Sequence, residues 1–129
     1  MDKQRKIELA EIARRVRVGI LDAVYSAQSG HPGGSLSIAD VLTYLYFEEM
    51  NVDPKKQDDP ARDRFVLSKG HCAPALYAAL ALKGFFPMDW LKTLNKGGTS
   101  LPSHADMRRV PGVDMSTGSL GQGISAAVG

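Results

Sequence analysis

Several things that would assign this chain to a class at once are missing or scarce. There is one cysteine, Cys72, in 129 residues, so no disulfide can form within the chain, and a lone thiol fits a reducing, cytoplasmic compartment. No run is apolar for long enough to cross a bilayer. The first residues are basic, but no apolar stretch follows them, so a secretory signal is not expected. Charge of one sign is also lacking. Sixteen Lys and Arg face fourteen Asp and Glu, a net charge of +2, which is too small to imply a nucleic-acid partner. The basic residues that do gather (Lys3, Arg5, Lys6, Arg14, Arg15 and Arg17) are interrupted by Asp2, Glu8 and Glu11 and read as a solvated helix face. There is no internal repeat and no low-complexity segment. A hydrophobic content of 43% with 23% charged residues fits one domain with a modest core.

Residues 4 to 28 carry apolar positions at helical spacing: Leu9, Ile12, Val16, Ile20, Val24 and Ala27. Ser29-Gly30 is expected to end that helix, with Gly30 in the left-handed cap. His31-Pro32-Gly33-Gly34-Ser35 is expected to be a rigid exposed turn, with Pro32 restricting His31 to extended angles. Ser37 with Asp40 resembles a capping box for a second helix. Its buried stripe is expected at Ile38, Val41, Leu42, Leu45 and Phe47, with Tyr44 and Tyr46 at the edge. Asn51-Val52-Asp53-Pro54 stops it. A charged loop follows from Lys55 to Asp63, whose aspartates lack the glycine and terminal glutamate of a calcium loop.

Arg64 to Ser68 reads as a buried parallel strand. It runs through Lys69-Gly70-His71 into a helix containing Leu76, Leu80 and Leu82, which closes at Lys83-Gly84. Strand, tight turn and helix is the arrangement in which open α/β sheets place ligands. Trp90, Leu91 and Leu94 mark a short helix of satellite core. Lys96 to Pro111 is a long irregular segment held by flanking apolar residues. Val110 to Met115 is expected to be a second short strand. Ser116 to Gly123 then packs Gly118, Gly121 and Gly123 into one turn, whose exposed amides suit an anion or a flat cofactor. A lone strand cannot bury unpaired backbone groups, so the remaining strands are expected from further chain or from a partner.

His31, His71 and His104 are all the histidines, and each lies at a turn marked by glycine or proline. If those turns meet the Gly118 turn, they form a pocket of neutral donors and proton carriers suited to sugar phosphates. A three-histidine zinc site and a Cys72 nucleophile are the rival readings, but the first has no short ligand pair and in the second the adjacent His71 is expected to point elsewhere.

Three stretches, Ser29 to Gly34, Phe65 to His71 and Pro111 to Gly123, closely resemble the transketolase family, in the family's order and across nearly the whole chain. The nearest likeness is to the amino-terminal subunit of split transketolases. The resemblance implies an α/β, thiamine-diphosphate-binding fold, a parallel sheet flanked by helices, of which residues 1–129 form only the leading, helix-rich portion. It implies transfer of a two-carbon ketol group between ketose and aldose phosphates, with thiamine diphosphate and Mg2+. The resemblance places His31 on substrate oxygen as a proton carrier and His71 between the cofactor diphosphate and the substrate. It places His104 on the donor's terminal hydroxyl, the Gly118 carbonyl on the aminopyrimidine and Leu120 against the cofactor rings, with Ser119 between them.

The family's metal-binding Gly-Asp-Gly and later Asn do not occur within these residues, and its activating glutamate belongs to the pyrimidine-binding domain. The metal ligands are therefore expected beyond Gly129, the domain is expected to be incomplete, and the chain alone is expected to be inactive. The implied partners are sugar phosphates and a pyrimidine-binding subunit or domain, in a dimer or heterotetramer. A related thiamine-diphosphate enzyme (dihydroxyacetone synthase or deoxyxylulose-phosphate synthase) and a short non-catalytic binding module are the alternatives.

Overall fold

A computed structural model describes residues 1–129. The long helix α1 spans Lys3–Ala27. It opens where the Asp2 carboxylate accepts the Arg5 N–H at 2.7 Å, a side-chain cap on a free helical donor. Its buried face carries Leu9, Val16 and Ile20, as the spacing predicts, together with Ala13 and Ala23, while Ile12, Val24 and Ala27 are only half-buried. Its basic residues lie on the outer face and pair with acids, Arg14 with Glu11 and Arg17 with Asp40.

The end of α1 differs from expectation. Gln28, not Gly30, takes the left-handed cap at φ 52°. Its side-chain amide donates to the Tyr25 carbonyl at 2.6 Å, which helps a non-glycine residue hold that conformation. The His31 turn is also more regular than expected. Pro32–Leu36 form a short helix, α2, with Pro32 at its first position, where the missing N–H costs nothing. His31 precedes it at φ −121° and ψ 75°, outside the α region that Pro32 disfavours but short of the fully extended angles expected.

The expected Ser37–Asp40 capping box does not form. The Ser37 hydroxyl donates to the Gly34 carbonyl, and Asp40 faces Arg17. Helix α3, Ala39–Tyr44, continues as one widened π-type turn over Leu45–Glu49. That turn rotates the buried face. Val41 is 53% exposed, while Tyr46 is buried, reversing the expected roles of stripe and edge.

Neither expected strand exists. Residues 64–68 are extended but lie beside no other strand. Of the backbone groups in this stretch only the Phe65 N–H finds a partner, the Asp114 carboxylate at 2.8 Å. Val110 to Met115 is a turn, closed by the Val113 N–H on the Val110 carbonyl with Gly112 at φ +86°.

The centre of the molecule is α4, Ala73–Lys83, buried from Ala73 to Ala81. A helix apolar all round must be surrounded. Here α1, α3, a 3₁₀ segment over Met88–Thr93 and the loop residues Leu101, Ala105 and Val110 surround it. Gly84 caps α4 in the left-handed region as expected. Helix α5, Gln122–Val128, follows the glycine turn. The helices therefore set the core, and the long loops are carried on its rim.

Candidate active site

Three connections converge at the amino-terminal end of α4. A 3₁₀ turn, Gly70–Cys72, leads into the helix and carries His71. The α2 turn brings His31 beside it, with ring centroids 5.1 Å apart and planes at 83°. The long loop brings His104 to its other side, at 4.6 Å and 82°. The three histidines are separated by 40 and 33 positions in sequence, and the fold assembles them in a row with His71 in the middle.

Close packing explains why the turns can meet. A Cβ at Gly70 would lie 2.7 Å from the Thr117 carbonyl carbon and 2.8 Å from the Gly118 nitrogen. A Cβ at Gly34 would lie 2.8 Å from the Cys72 sulfur, and one at Gly123 would lie 2.6 Å from the Ser68 Cα. These glycines let backbone approach backbone. A Cβ at Gly118 would lie 3.6 Å from Cδ2 of the His104 ring. Of the other residues singled out from sequence, Ser119 and Leu120 sit on the exposed outer side of the turn, with Leu120 at 67% exposure.

Hydrogen bonds tie the parts together. Lys69 Nζ donates to the Gly34 carbonyl at 2.9 Å and lies 3.0 Å from Ser37 Oγ, linking the His31 and His71 turns. The Thr117 N–H donates to the Ala105 carbonyl at 3.1 Å. The Ser116 hydroxyl accepts the Met107 N–H at 2.9 Å and donates to Asp106. Ser68 Oγ accepts the Ile124 N–H at 3.0 Å, fixing the start of α5. Lys69, Asp106, Ser116 and Ser68 were not among the expected site residues. They act through packing between distant segments, which no local pattern reveals.

His104 is held below the ordinary imidazole range, first by burial and then by the neighbouring His71 and His31. It therefore favours the neutral form, which can donate from one nitrogen and accept at the other. No three His, Cys, Asp or Glu side chains are grouped as metal ligands would be. Cys72 is buried, which suits packing rather than nucleophilic attack.

Two polar atoms at the junction lack any protein partner although they are buried: His71 Nδ1 and Thr117 Oγ1. Buried polar atoms are rarely left so unless something else satisfies them. Beside them the glycine turn encloses a hollow of about 190 Å³ between Met115 and Gly123. A wider, open hollow of about 560 Å³ lies against His104 and is bordered by Ser103, Asp106, Arg108 and Ser116.

Comparison with known proteins gives this arrangement its context. Residues 9–129 match the family model described as the transketolase thiamine diphosphate binding domain. The 6-deoxy-6-sulfo-D-fructose transketolase subunit SqwG of Clostridium sp. (strain MSTE9) is 58% identical over 126 residues, which are 98% of this chain and 46% of that protein. An apulose-4-phosphate transketolase subunit from Phocaeicola vulgatus is 44% identical, over 96% of this chain and 44% of its own length. The chain thus spans under half the length of these relatives. Among solved structures, transketolase from Leishmania mexicana superposes with a TM-score of 0.89 at 37% identity, covering 93% of this chain and 18% of that one. The match covers the histidine-bearing turns and the glycine turn together, so this chain belongs to the transketolase family through its thiamine-diphosphate-binding domain.

Proposed function

We propose that the histidine row and the Gly118 turn form one half of the site of a ketol transferase, completed by a pyrimidine-binding domain or subunit. The observation that carries this reading is the row of His31, His71 and His104, whose His104 end lies beside that turn. The residues present fit the diphosphate cofactor. Gly121 has open space where a side chain would stand, and two buried polar atoms, His71 Nδ1 and Thr117 Oγ1, face no protein partner. Bound there, the cofactor supplies the electron sink for making and breaking the carbon–carbon bond.

The chain's own residues then bind, orient and move protons. His71 holds the junction of cofactor and substrate, and His31 and His104 flank it. Neutral His104 accepts or donates a proton on the donor's terminal hydroxyl, while exposed His31 exchanges protons with solvent and substrate oxygen. The Gly118 carbonyl would accept from the cofactor's amino group, and Leu120, exposed in this chain, would pack against its rings together with Ser119. Mg2+ would offset the charge of the diphosphate, and its ligands are assigned to none of residues 1–129. The working assembly pairs two such halves in the cytoplasm, as a dimer or heterotetramer.

The substrates are a ketose donor and an aldose acceptor carrying an anionic group at the far end. The names of the two relatives, one a sulfo-sugar transketolase and one a sugar-phosphate transketolase, make both sulfonate and phosphate ends worth assaying. The test is His104→Asn in the complete enzyme. Use of the donor ketose, as kcat/KM, should fall roughly 10²-fold, the scale of one lost proton-transfer group. Cofactor affinity should hold. Equal loss of both would remove His104 from the donor's site.

A further inference from the structure

Helix α4 is apolar from Ala73 to Ala81 except for one atom, the hydroxyl of Tyr77. Tyr77 is fully buried. A phenylalanine would fill the same space without the desolvation of a hydroxyl, so a buried phenol has to earn its place through a partner. Two acceptors face it. The Pro102 carbonyl lies 2.8 Å from the hydroxyl and the His104 carbonyl 3.1 Å from it. Neither carbonyl has another protein donor.

The His104 side chain has little to hold it otherwise. Its Nδ1 is 3.2 Å from the Oγ of its neighbour Ser103, an exposed contact between adjacent residues. The segment has no regular structure of its own to fix it. Its backbone is anchored instead from two sides, by Tyr77 below and by the Thr117 N–H, which donates to the Ala105 carbonyl, beyond.

We propose that Tyr77 is a positioning residue for His104: its phenol, fixed in the rigid centre of the fold, clamps the Pro102–His104 backbone so that the imidazole stands between His71 and Gly118. The phenol touches neither substrate nor cofactor. It is also suited to remain protonated, because burial and then the nearby Asp106 push its ionisation up, only partly offset by Arg109. The titratable groups that face the His104 ring are His71 and, beyond it, His31.

The test is Tyr77→Phe in the complete enzyme, beside Leu80→Val as a control that loosens α4 without touching the loop. His104 is followed by ¹³C labelling of histidine rings, and the donor KM by assay. In Tyr77→Phe the His104 resonance should shift and its pKa should move up toward the ordinary imidazole value. The donor KM should rise roughly three- to tenfold, the scale of one net hydrogen bond, with cofactor affinity unchanged. Leu80→Val should leave His104 as it was.

An unmoved His104 in Tyr77→Phe would overturn the proposal. So would an equal shift in Leu80→Val, or a Tyr77→Phe chain that cannot fold, since the hydroxyl would then serve the core and not one ring. The donor assay alone rests on the functional reading above. If His104 moves and the donor KM does not, the clamp stands and the donor role of His104 falls.

Discussion

The imidazoles of His71 and His104 meet edge to face, with centroids 4.6 Å apart, so a proton on one ring opposes a proton on the other. Burial first, and then this opposition and that of His31, hold His104 below its ordinary pKa. The sign of the stability effect follows by linkage. Below about pH 6.5, the usual histidine value, the unfolded chain takes up a proton at His104 that the folded chain resists. The unfolded state then binds more protons, and stability falls as the pH is lowered through that window. Thermal unfolding should occur at a lower temperature at pH 5.5 than at pH 7.5. His104→Gln should flatten part of that slope. An unchanged slope in the variant would place the acid sensitivity elsewhere.

Gly70 is the point at which two candidate-site turns touch. A methyl group there would fall 2.7 Å from the Thr117 carbonyl carbon and its Oγ1. One of those atoms is backbone, so no side-chain rotation relieves the clash. Gly70→Ala should destabilise the fold by about 1–3 kcal/mol, as overpacking does, and should move the Gly118 turn off the histidine row. Urea titration reads the first effect, and calorimetric titration of the complete enzyme with thiamine diphosphate reads the second. An alanine variant of native stability and native cofactor affinity would show that the two turns have slack between them.

Gln28 offers a prediction in the opposite direction. It ends α1 in a left-handed conformation that L-residues adopt at a cost and glycine adopts freely. Its side-chain bond to the Tyr25 carbonyl is exposed to solvent, so water can replace it. Gln28→Gly should therefore stabilise the chain by roughly 0.5–1 kcal/mol, seen as a higher urea midpoint with an unchanged slope. A lower midpoint would mean that the side-chain amide contributes more than the backbone strain removes.

Periodicity and turn chemistry revealed most of the scaffold. The spacing of Leu9, Val16 and Ile20 marked the buried face of α1, and Gly84 marked the end of α4. The histidines stood out because each sits beside glycine or proline, and their gathering is a property of the fold that those turns anticipate. Three features escaped for physical reasons. The apolar run Phe65-Val66-Leu67 looks like a strand by composition, but a strand is defined by its neighbour, and none lies beside it here. Tyr46 fell outside the expected stripe because the π-type turn at Leu45–Glu49 shifts the helical period, which a fixed spacing cannot follow. Tyr77, Ser116 and Asp114 bond across 25, 10 and 49 positions to Pro102, Asp106 and Phe65, and long-range polar pairs leave no mark on local pattern.

Asp114 shows how much can rest on such a pair. Its carboxylate accepts from the Phe65 N–H at 2.8 Å and pairs with the Arg62 guanidinium. The side chains retain only 7% and 18% of their exposure, so neither charge is well solvated. Through these bonds Asp114 fixes the extended segment that leads to Gly70 and His71 against the segment that leads to Gly118. Asp114→Asn keeps an acceptor for Phe65 but leaves Arg62 without its counter-charge. That should cost about 3 kcal/mol, the lower end for breaking a buried pair, because Arg62 keeps some water. Arg62→Met on the same background should recover part of the loss, since it removes the stranded charge. A urea series on the four chains of this cycle measures the coupling directly. Additive effects would mean that the guanidinium and the carboxylate are each satisfied by solvent, and that the Phe65 bond alone holds the two segments together.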